Sequence, residues 1–265
     1  MHTIVLATQK GGSGKSTLAI GLALAAKQAG HRVRLIETDT QGTLSNWQSR
    51  RGIAEPIVET VYGANDIEHR LQSIERGGVT LTIIDTAGGV SAATTAAIRY
   101  CDLCIVPARP SLADIEATAS TLHLARAWKK PFAFVLNQTP TRGQRVHNAT
   151  SALSGEAALD LADVLAQPFI AMRNDHQDAL GVGLAVGEYA PSGKSADEIR
   201  NLWRWIETRL NGGIVAGEQL ACEDGKAEFP IMFVPTPAVE VAAPTAAVGP
   251  LPARPEADAS WDACL

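Results

Sequence analysis

Residues 10–17 read Lys-Gly-Gly-Ser-Gly-Lys-Ser-Thr. Three glycines, two lysines and three hydroxyls within eight positions suit one task, holding a phosphate chain. Glycine lets the backbone curl so that successive N–H groups point inward, where a Cβ would obstruct them. A helix starting behind the loop adds unpaired N–H groups and a partial positive charge. In such a loop Lys15 reaches the β- and γ-phosphates, and the Ser16 hydroxyl ligates Mg²⁺. Gly11, Gly12, Ser13, Gly14, Lys15, Ser16 and Thr17 are therefore the phosphate-binding candidates. The general pattern G-x-x-x-x-G-K-S/T is nearly met, and Lys10 is an addition to it.

These residues need a strand before them and a helix after. Thr3–Ala7 is the apolar run before, and Leu18–Ala29 is the apolar-periodic segment after. Gly30 ends that segment as a helix C-terminal glycine does. Further strands are expected at Arg32–Ile36, Val79–Ile84, Leu103–Val106 and Pro131–Leu136, with a short last one at Gln167–Ala171. A helix is expected through Trp47 to Arg50. Ser111–Asp114 is a capping-box-like start for a helix over Ile115–Ala127. Ser195–Glu198 repeats the device before a last helix, whose Ile199, Leu202, Trp203, Ile206 and Leu210 form one stripe. Short apolar strands alternating with helices predict an α/β fold, a mostly parallel twisted sheet with helices on both faces. Functional residues then fall at strand carboxyl ends. Three segments sit there: Glu37–Gln41, Asp85–Gly89 and Asn137.

With its added lysine, the loop resembles the deviant Walker A loop of the ParA/MinD family of P-loop NTPases. The short ParA-type plasmid and cargo partition ATPases have the most similar layout. The resemblance covers residues 3 to about 210 and implies ATP and Mg²⁺ as cofactors. It implies a homodimer formed on ATP binding, with Lys10 reaching the partner's nucleotide. Asp85 becomes the acid that holds Mg²⁺ together with Ser16, and Gly88 a sensor of the γ-phosphate. Asp39 matches the acid associated with water activation; it would equally suit the N-cap of a helix over 42–50. Asn137 stands where relatives contact adenine, although Asn is also a common turn former. Phosphoryl transfer needs positioning more than covalent help, so Lys10, Lys15 and Asp39 are the catalytic candidates. The family's Asp-x-Asp-Pro-Gln segment reads Glu37-Thr38-Asp39-Thr40-Gln41 here. Glu37 keeps the charge on a longer arm, and Thr40 lacks proline's fixed φ.

By the same resemblance the chain is an ATPase that binds DNA non-specifically as an ATP dimer. A ParB-like or other adaptor protein would stimulate hydrolysis and drive partition of a plasmid, chromosome or other cargo. DNA binding of that kind needs a basic surface and weakens with salt. Lys129, Lys130, Arg173, Lys194, Arg200 and Arg204 are candidates, with Arg126, Arg142, Arg145 and Arg209 beside them; ordinary solvated surface is the plainer account of all ten. Arg173 aligns with an arginine of the partition ATPases. An ATP-gated dimeric switch or tether, acting on a protein partner with little hydrolysis, also stands, kept open by Thr40. A membrane-targeted member would need a basic amphipathic C-terminal helix, and this C-terminal region is acidic. An iron–sulfur relative would need paired cysteine ligands. Cys101 and Cys104 have the spacing but fall at a buried strand, where core cysteines are expected. A tyrosine autokinase would carry a terminal tyrosine cluster, whereas the tyrosines are Tyr62, Tyr100 and Tyr189.

Hydrophobic residues make up 46% of the 265-residue chain and charged residues 19%, in keeping with a globular body. No apolar run is long enough to cross a bilayer, and no signal peptide is expected, because the visible sequence goes straight into a strand. Four cysteines do not make a disulfide scaffold in a chain of this length. The expectation is a cytoplasmic protein, nucleoid-associated when on DNA and without a membrane partner. Of the 28 acidic residues eight fall in 211–265, against two of the 23 basic ones, so the net charge of −5 resides in that segment. Residues 1–210 are therefore expected to form the ATPase domain. Residues 211–265 are expected to be an acidic, Pro/Ala-rich disordered tail, interrupted by the apolar island Phe229–Val234.

Overall fold

The computed structural model describes residues 1–157 and 164–212. Its strands are β1 (His2–Leu6), β2 (Val33–Glu37), β3 (Ile57–Thr60), β4 (Leu81–Asp85), β5 (Leu103–Ala108) and β6 (Phe132–Leu136). They form one sheet in the order β3-β2-β4-β1-β5-β6, and every neighbouring pair is parallel. The helices are α1 (Lys15–Gln28), α2 (Thr43–Arg50), α3 (Asp66–Arg76), α4 (Ala92–Tyr100), α5 (Leu112–Glu116), α6 (Ala119–Ala127), α7 (Arg145–Ala157), α8 (Asp175–Gly181), α9 (Val186–Tyr189) and α10 (Lys194–Leu210).

Alternation along each strand sends successive side chains to opposite faces. Ile4, Leu6, Leu35, Ile83 and Ile105 join one core, shared with α1, α2, α9 and α10. Val5, Ile36, Ile84, Cys104 and Val106 join the other, shared with α3 to α7. Both faces of the sheet are thus covered, which is why its strands read as continuous apolar runs. Helix α1 is apolar on all sides because it lies between the sheet and α10, the usual reason for such a helix. Gly21 brings α1 close to α10: a Cβ there would sit 3.3 Å from the Ile199 side chain.

Four local expectations need correction. Gln167–Ala171 is not a strand. Its Ala171 makes an isolated bridge with Thr139 in the loop after β6, and Leu165, just before the segment, makes another with Phe134; Pro168 has no N–H to give a ladder. The helix expected over Ile115–Ala127 is broken into α5 and α6, and at the break the Thr118 hydroxyl donates to Ile115 O at 2.7 Å. Ser195 does not cap α10. Gly193 holds the cap position, and the Ser195 hydroxyl donates to Asp175 Oδ2 at 2.8 Å. Finally, β3 and α3 occupy a stretch for which the sequence yielded no element. Strand β3 is a half-exposed edge, too short and polar to stand out. Helix α3 does carry a readable stripe, Ile67, Leu71 and Ile74, all buried. The expected cap at Ser111 is present: its Oγ accepts the Asp114 N–H.

All described residues belong to the unit Met1–Gln219; a second unit, Leu220–Leu265, lies outside them. The expected tail, its apolar island Phe229–Val234, Cys222 and Cys264 are therefore outside the described residues, apart from Asn211 and Gly212. Among the described residues no helix is long and apolar enough to cross a membrane.

Candidate functional site

Sheet register assembles the site. Leu6 on β1, Asp85 on β4 and Glu37 on β2 lie level with one another at their strands' carboxyl ends. The loops leaving these ends meet around a cleft of about 480 Å³. Gly11, Gly12, Gly14, Lys15, Ser16 and Thr17 line it from the β1 side, Asp39, Gln41 and Thr43 from the β2 side, and Ala87 and Gly88 from the β4 side. Gln9 completes the wall. Gly14 turns into α1 with φ 87°, in the left-handed region that glycine accepts. Gly88 lies against the start of the loop: a Cβ there would sit 3.4 Å from Gly11 N and 3.5 Å from Gln9 O. The Thr86 hydroxyl donates to Leu6 O at 2.8 Å, fastening the β4 loop to β1.

Lys15 is 7% exposed, and its Nζ lies 3.5 Å from Lys10 O. Burial lowers its pKa, opposed by the carboxylates of Asp85 and Asp39. Burial also pushes the Asp85 carboxyl up to about 7, against the downward pull of the Ser16 hydroxyl and the Lys15 ammonium. Ser16 acts across space, because neither Asp85 oxygen makes a hydrogen bond of good geometry. A buried carboxylate with both oxygens unpaired, beside a hydroxyl and below a phosphate loop, fits Mg²⁺. That ion takes one or two protein oxygens and fills its shell with phosphates and water. Among the described residues no cluster of three or more His, Cys, Asp or Glu could hold a metal.

Glu37 and Asp39 divide their work. Glu37 is fully buried and its carboxylate accepts the N–H groups of Leu44 at 2.6 Å and Ser45 at 3.1 Å. It therefore satisfies the first turn of α2 and complements the helix dipole. The longer arm that distinguishes Glu from Asp is spent on this reach. Asp39 is not the N-cap; Gly42 is. Asp39 Oδ1 instead accepts the Gln41 N–H at 2.9 Å, a local Asx turn on the cleft wall.

Lys10 folds back onto its own chain. Its ammonium lies 3.3 Å from Asp114 Oδ2, with Arg109 Nε 2.9 Å from the other oxygen. Burial alone would raise the Asp114 pKa, but hydrogen bonds from Ser111, Arg109 and Lys10 outweigh it and hold the carboxyl below its usual range. The sequence marked Asp114 only as part of a helix cap. Asn137 is 5% exposed and directs its amide to the loop, donating to Ser13 O at 2.8 Å. Gln138, which had no sequence signal, donates to Gly12 O at 2.9 Å.

The six basic residues considered for DNA come from three segments: the turn before β6, the segment after Ala171, and α10. Lys129 and Lys130 precede β6, while Arg173 follows the bridge beyond its end. The five residues of β6, roughly 16 Å, separate the two groups. Three of the six are engaged internally: Arg173 with Glu198 at 2.6 Å, Arg200 with Asp197, and Arg204 with Asn201. Cys101 and Cys104 are buried free thiols in one core, their pKa values raised by burial, Cys101 to about 12. They belong to packing.

The model of the CobQ/CobB/MinD/ParA nucleotide-binding domain matches residues 4–179. The chain belongs to that family. Among its relatives is the maintenance of carboxysome distribution protein A of Halothiobacillus neapolitanus, 26% identical over 210 residues, 76% of this chain and 94% of that protein. The protein of the same name from Gloeobacter kilaueensis is 35% identical over 126 residues, 47% of this chain and about half of the relative, 56%. Protein ParA of Rhizobium radiobacter is 29% identical over 128 residues, 47% of this chain and 56% of that protein. Among solved structures, the Mg-ADP complex of septum site-determining protein MinD from Pyrococcus horikoshii superposes with a TM-score of 0.64. It is 16% identical and the match covers 78% of this chain and 96% of that one. An ATP complex of McdA from Cyanothece gives a TM-score of 0.59 at 16% identity, over 80% and 97% of the two chains. The fold is thus the α/β fold of the MinD and ParA P-loop NTPases, and the matched span contains every cleft residue.

Proposed function

We propose that this chain is a Mg²⁺-dependent ParA-type ATPase that forms an ATP-sandwich homodimer, binds DNA non-specifically and positions cargo through partner-stimulated hydrolysis. The observation that carries the reading is the cleft itself: a buried Lys15, an unpaired buried Asp85 and the wall residue Asp39 meet around a glycine loop at a helix N-terminus. Lys15 and the first N–H groups of α1 bind the phosphates. Ser16 and Asp85 would hold Mg²⁺, which when bound neutralises charge on the β- and γ-phosphates. Asp39 orients water at the cleft wall, and Gly88, packed on Gly11, senses whether a γ-phosphate is present. Lys10 leaves Asp114 to reach the nucleotide of a second copy, completing that site.

Cargo positioning is supported by the relatives that maintain carboxysome distribution, and DNA binding by the basic residues along α10 and in the Arg173 segment. A second reading, an ATP-gated switch acting on a protein partner, is favoured by one observation. Arg173 and Arg200 are paired with Glu198 and Asp197, which reduces the charge available to phosphates. Titration of random-sequence duplex with ATP, ADP or no nucleotide, at several salt concentrations, decides between them. The expected result is binding with ATP alone, weakening as salt rises. An ATP dimer that ignores DNA would leave the protein-directed switch.

A further inference from the structure

Beside the phosphate loop, Lys10 and Arg109 share one buried acid. Asp114 is 3% exposed. Lys10 Nζ lies 3.3 Å from its Oδ2, and Arg109 Nε donates to its Oδ1 at 2.9 Å. The Ser111 hydroxyl donates to Oδ2 as well. Each oxygen therefore keeps a donor even without Lys10. Both cations come from the ends of neighbouring strands, Lys10 from the loop after β1 and Arg109 from the residue after β5. Their anchorage differs. Arg109 stands five positions from Asp114, in one compact turn. There the Ser111 N–H donates to Arg109 O at 2.8 Å and the Asp114 N–H to Ser111 O at 3.1 Å. Lys10 reaches Asp114 across 104 positions, from a loop that continues into Gly11 and Gly12.

We propose that Arg109 is a positioning residue for Lys10: it stays on Asp114 as the retained counter-ion, and so lets Lys10 leave for the nucleotide of a second copy. A carboxylate buried to this degree is costly without a cation. Were Lys10 its only cation, departure would strand the charge, and Lys10 would be held in place. With Arg109 on Oδ1 and Ser111 on Oδ2, the acid stays charged and hydrogen-bonded after Lys10 has gone. Burial acts to raise the Asp114 pKa, and hydrogen bonds from Ser111, then Arg109, then Lys10 bring it below its usual range, so Lys10 is the weakest of these holds.

This inference rests on the proposed dimer, and the test separates the two. Light scattering of the full chain over a range of protein concentrations, with a non-hydrolysable ATP analogue and Mg²⁺, gives the midpoint of dimerisation. Calorimetric titration below that range gives the affinity for the analogue. Arg109→Gln is expected to raise the midpoint concentration at least about tenfold, because Lys10 is then the sole cation on a buried carboxylate. Affinity for the analogue is expected to stay as in the wild type. Arg109→Lys, which keeps the charge, is expected to restore most of the dimer. Asp114→Asn removes the hold on Lys10, so the Arg109→Gln/Asp114→Asn double variant is expected to dimerise as Asp114→Asn does alone. A merely structural arginine, or one that itself touches the second copy, would leave its defect in the Asp114→Asn background, and that result would overturn the proposal. A wild-type midpoint in Arg109→Gln, or no recovery in Arg109→Lys, would overturn it too. Should Asp114→Asn fail to fold, the Gln and Lys variants at position 109 still decide. Wild-type protein that binds the analogue and stays monomeric would sink the proposed dimer, and the role of Arg109 with it.

Discussion

Single side chains at the cleft are governed by desolvation. Lys15 is nearly buried, yet stays useful because two carboxylates face it. Lys15→Ala removes the main cation facing the phosphates, and ATP affinity should fall about 100-fold, the weight of a charge-assisted contact of about 3 kcal/mol. Calorimetric titration reads this directly; an unaltered affinity would displace the loop assignment. Asp85 carries the opposite burden. Its folded pKa near 7 lies above the ordinary 3.8, so the folded protein holds a proton there that the unfolded chain has released. Its contribution to stability is therefore present at low pH and lost as pH rises from about 4 to about 7. Asp85→Asn should leave the thermal midpoint of nucleotide-free protein nearly unchanged at pH 5 and raise it at pH 8. A midpoint difference that does not vary with pH would show that Asp85 is not the strained group.

At the scale of elements, the β2–α2 junction separates an acid that holds a helix end from one left on the cleft wall. Glu37 reaches past the loop to the first turn of α2, so Glu37→Ala leaves the Leu44 and Ser45 N–H groups unpaired. Denaturant unfolding should show a loss of about 1–3 kcal/mol. Asp39 makes only a local turn on the cleft wall. Asp39→Ala should therefore keep ATP binding and dimerisation while turnover falls about 100-fold or more, the range for loss of a positioned general base. Wild-type turnover in that variant would move the water-orienting role elsewhere. Thr40 in place of the family's proline leaves the turn to be held by the Asp39–Gln41 contact, since Thr does not fix φ.

For the whole molecule, the proposed dimer turns on Lys10. In the single chain its charge is balanced by Asp114, itself shared with Arg109 and Ser111. In the proposed dimer, reaching a second copy would exchange that contact for a phosphate. Lys10→Ala should bind ATP and remain monomeric by light scattering. An ATP-dependent dimer in that variant would remove the trans role.

The loop, the alternation of strands and helices, and the acids at strand ends were legible because each is a local signal. Glycine spacing reports backbone freedom, apolar runs report burial on two faces, and strand ends in a parallel sheet lie on one side. The phosphate loop and the strands β1, β2, β4, β5 and β6 were therefore visible in the chain as written. Strand β3 was not, because an edge strand needs only a few half-buried residues. Nor could the sequence tell which carboxylate would be spent on a helix end. Glu37 and Asp39 are two residues apart and chemically alike, and only the position of α2 assigns the first to packing and leaves the second on the cleft. The same holds for Lys10 with Asp114, 104 positions apart, and for Asn137 and Gln138 against Gly12 and Ser13. Long-range pairs of this kind depend on strand order, and the order β4-β1-β5-β6 is what brings the ends of β5 and β6 beside the loop that follows β1.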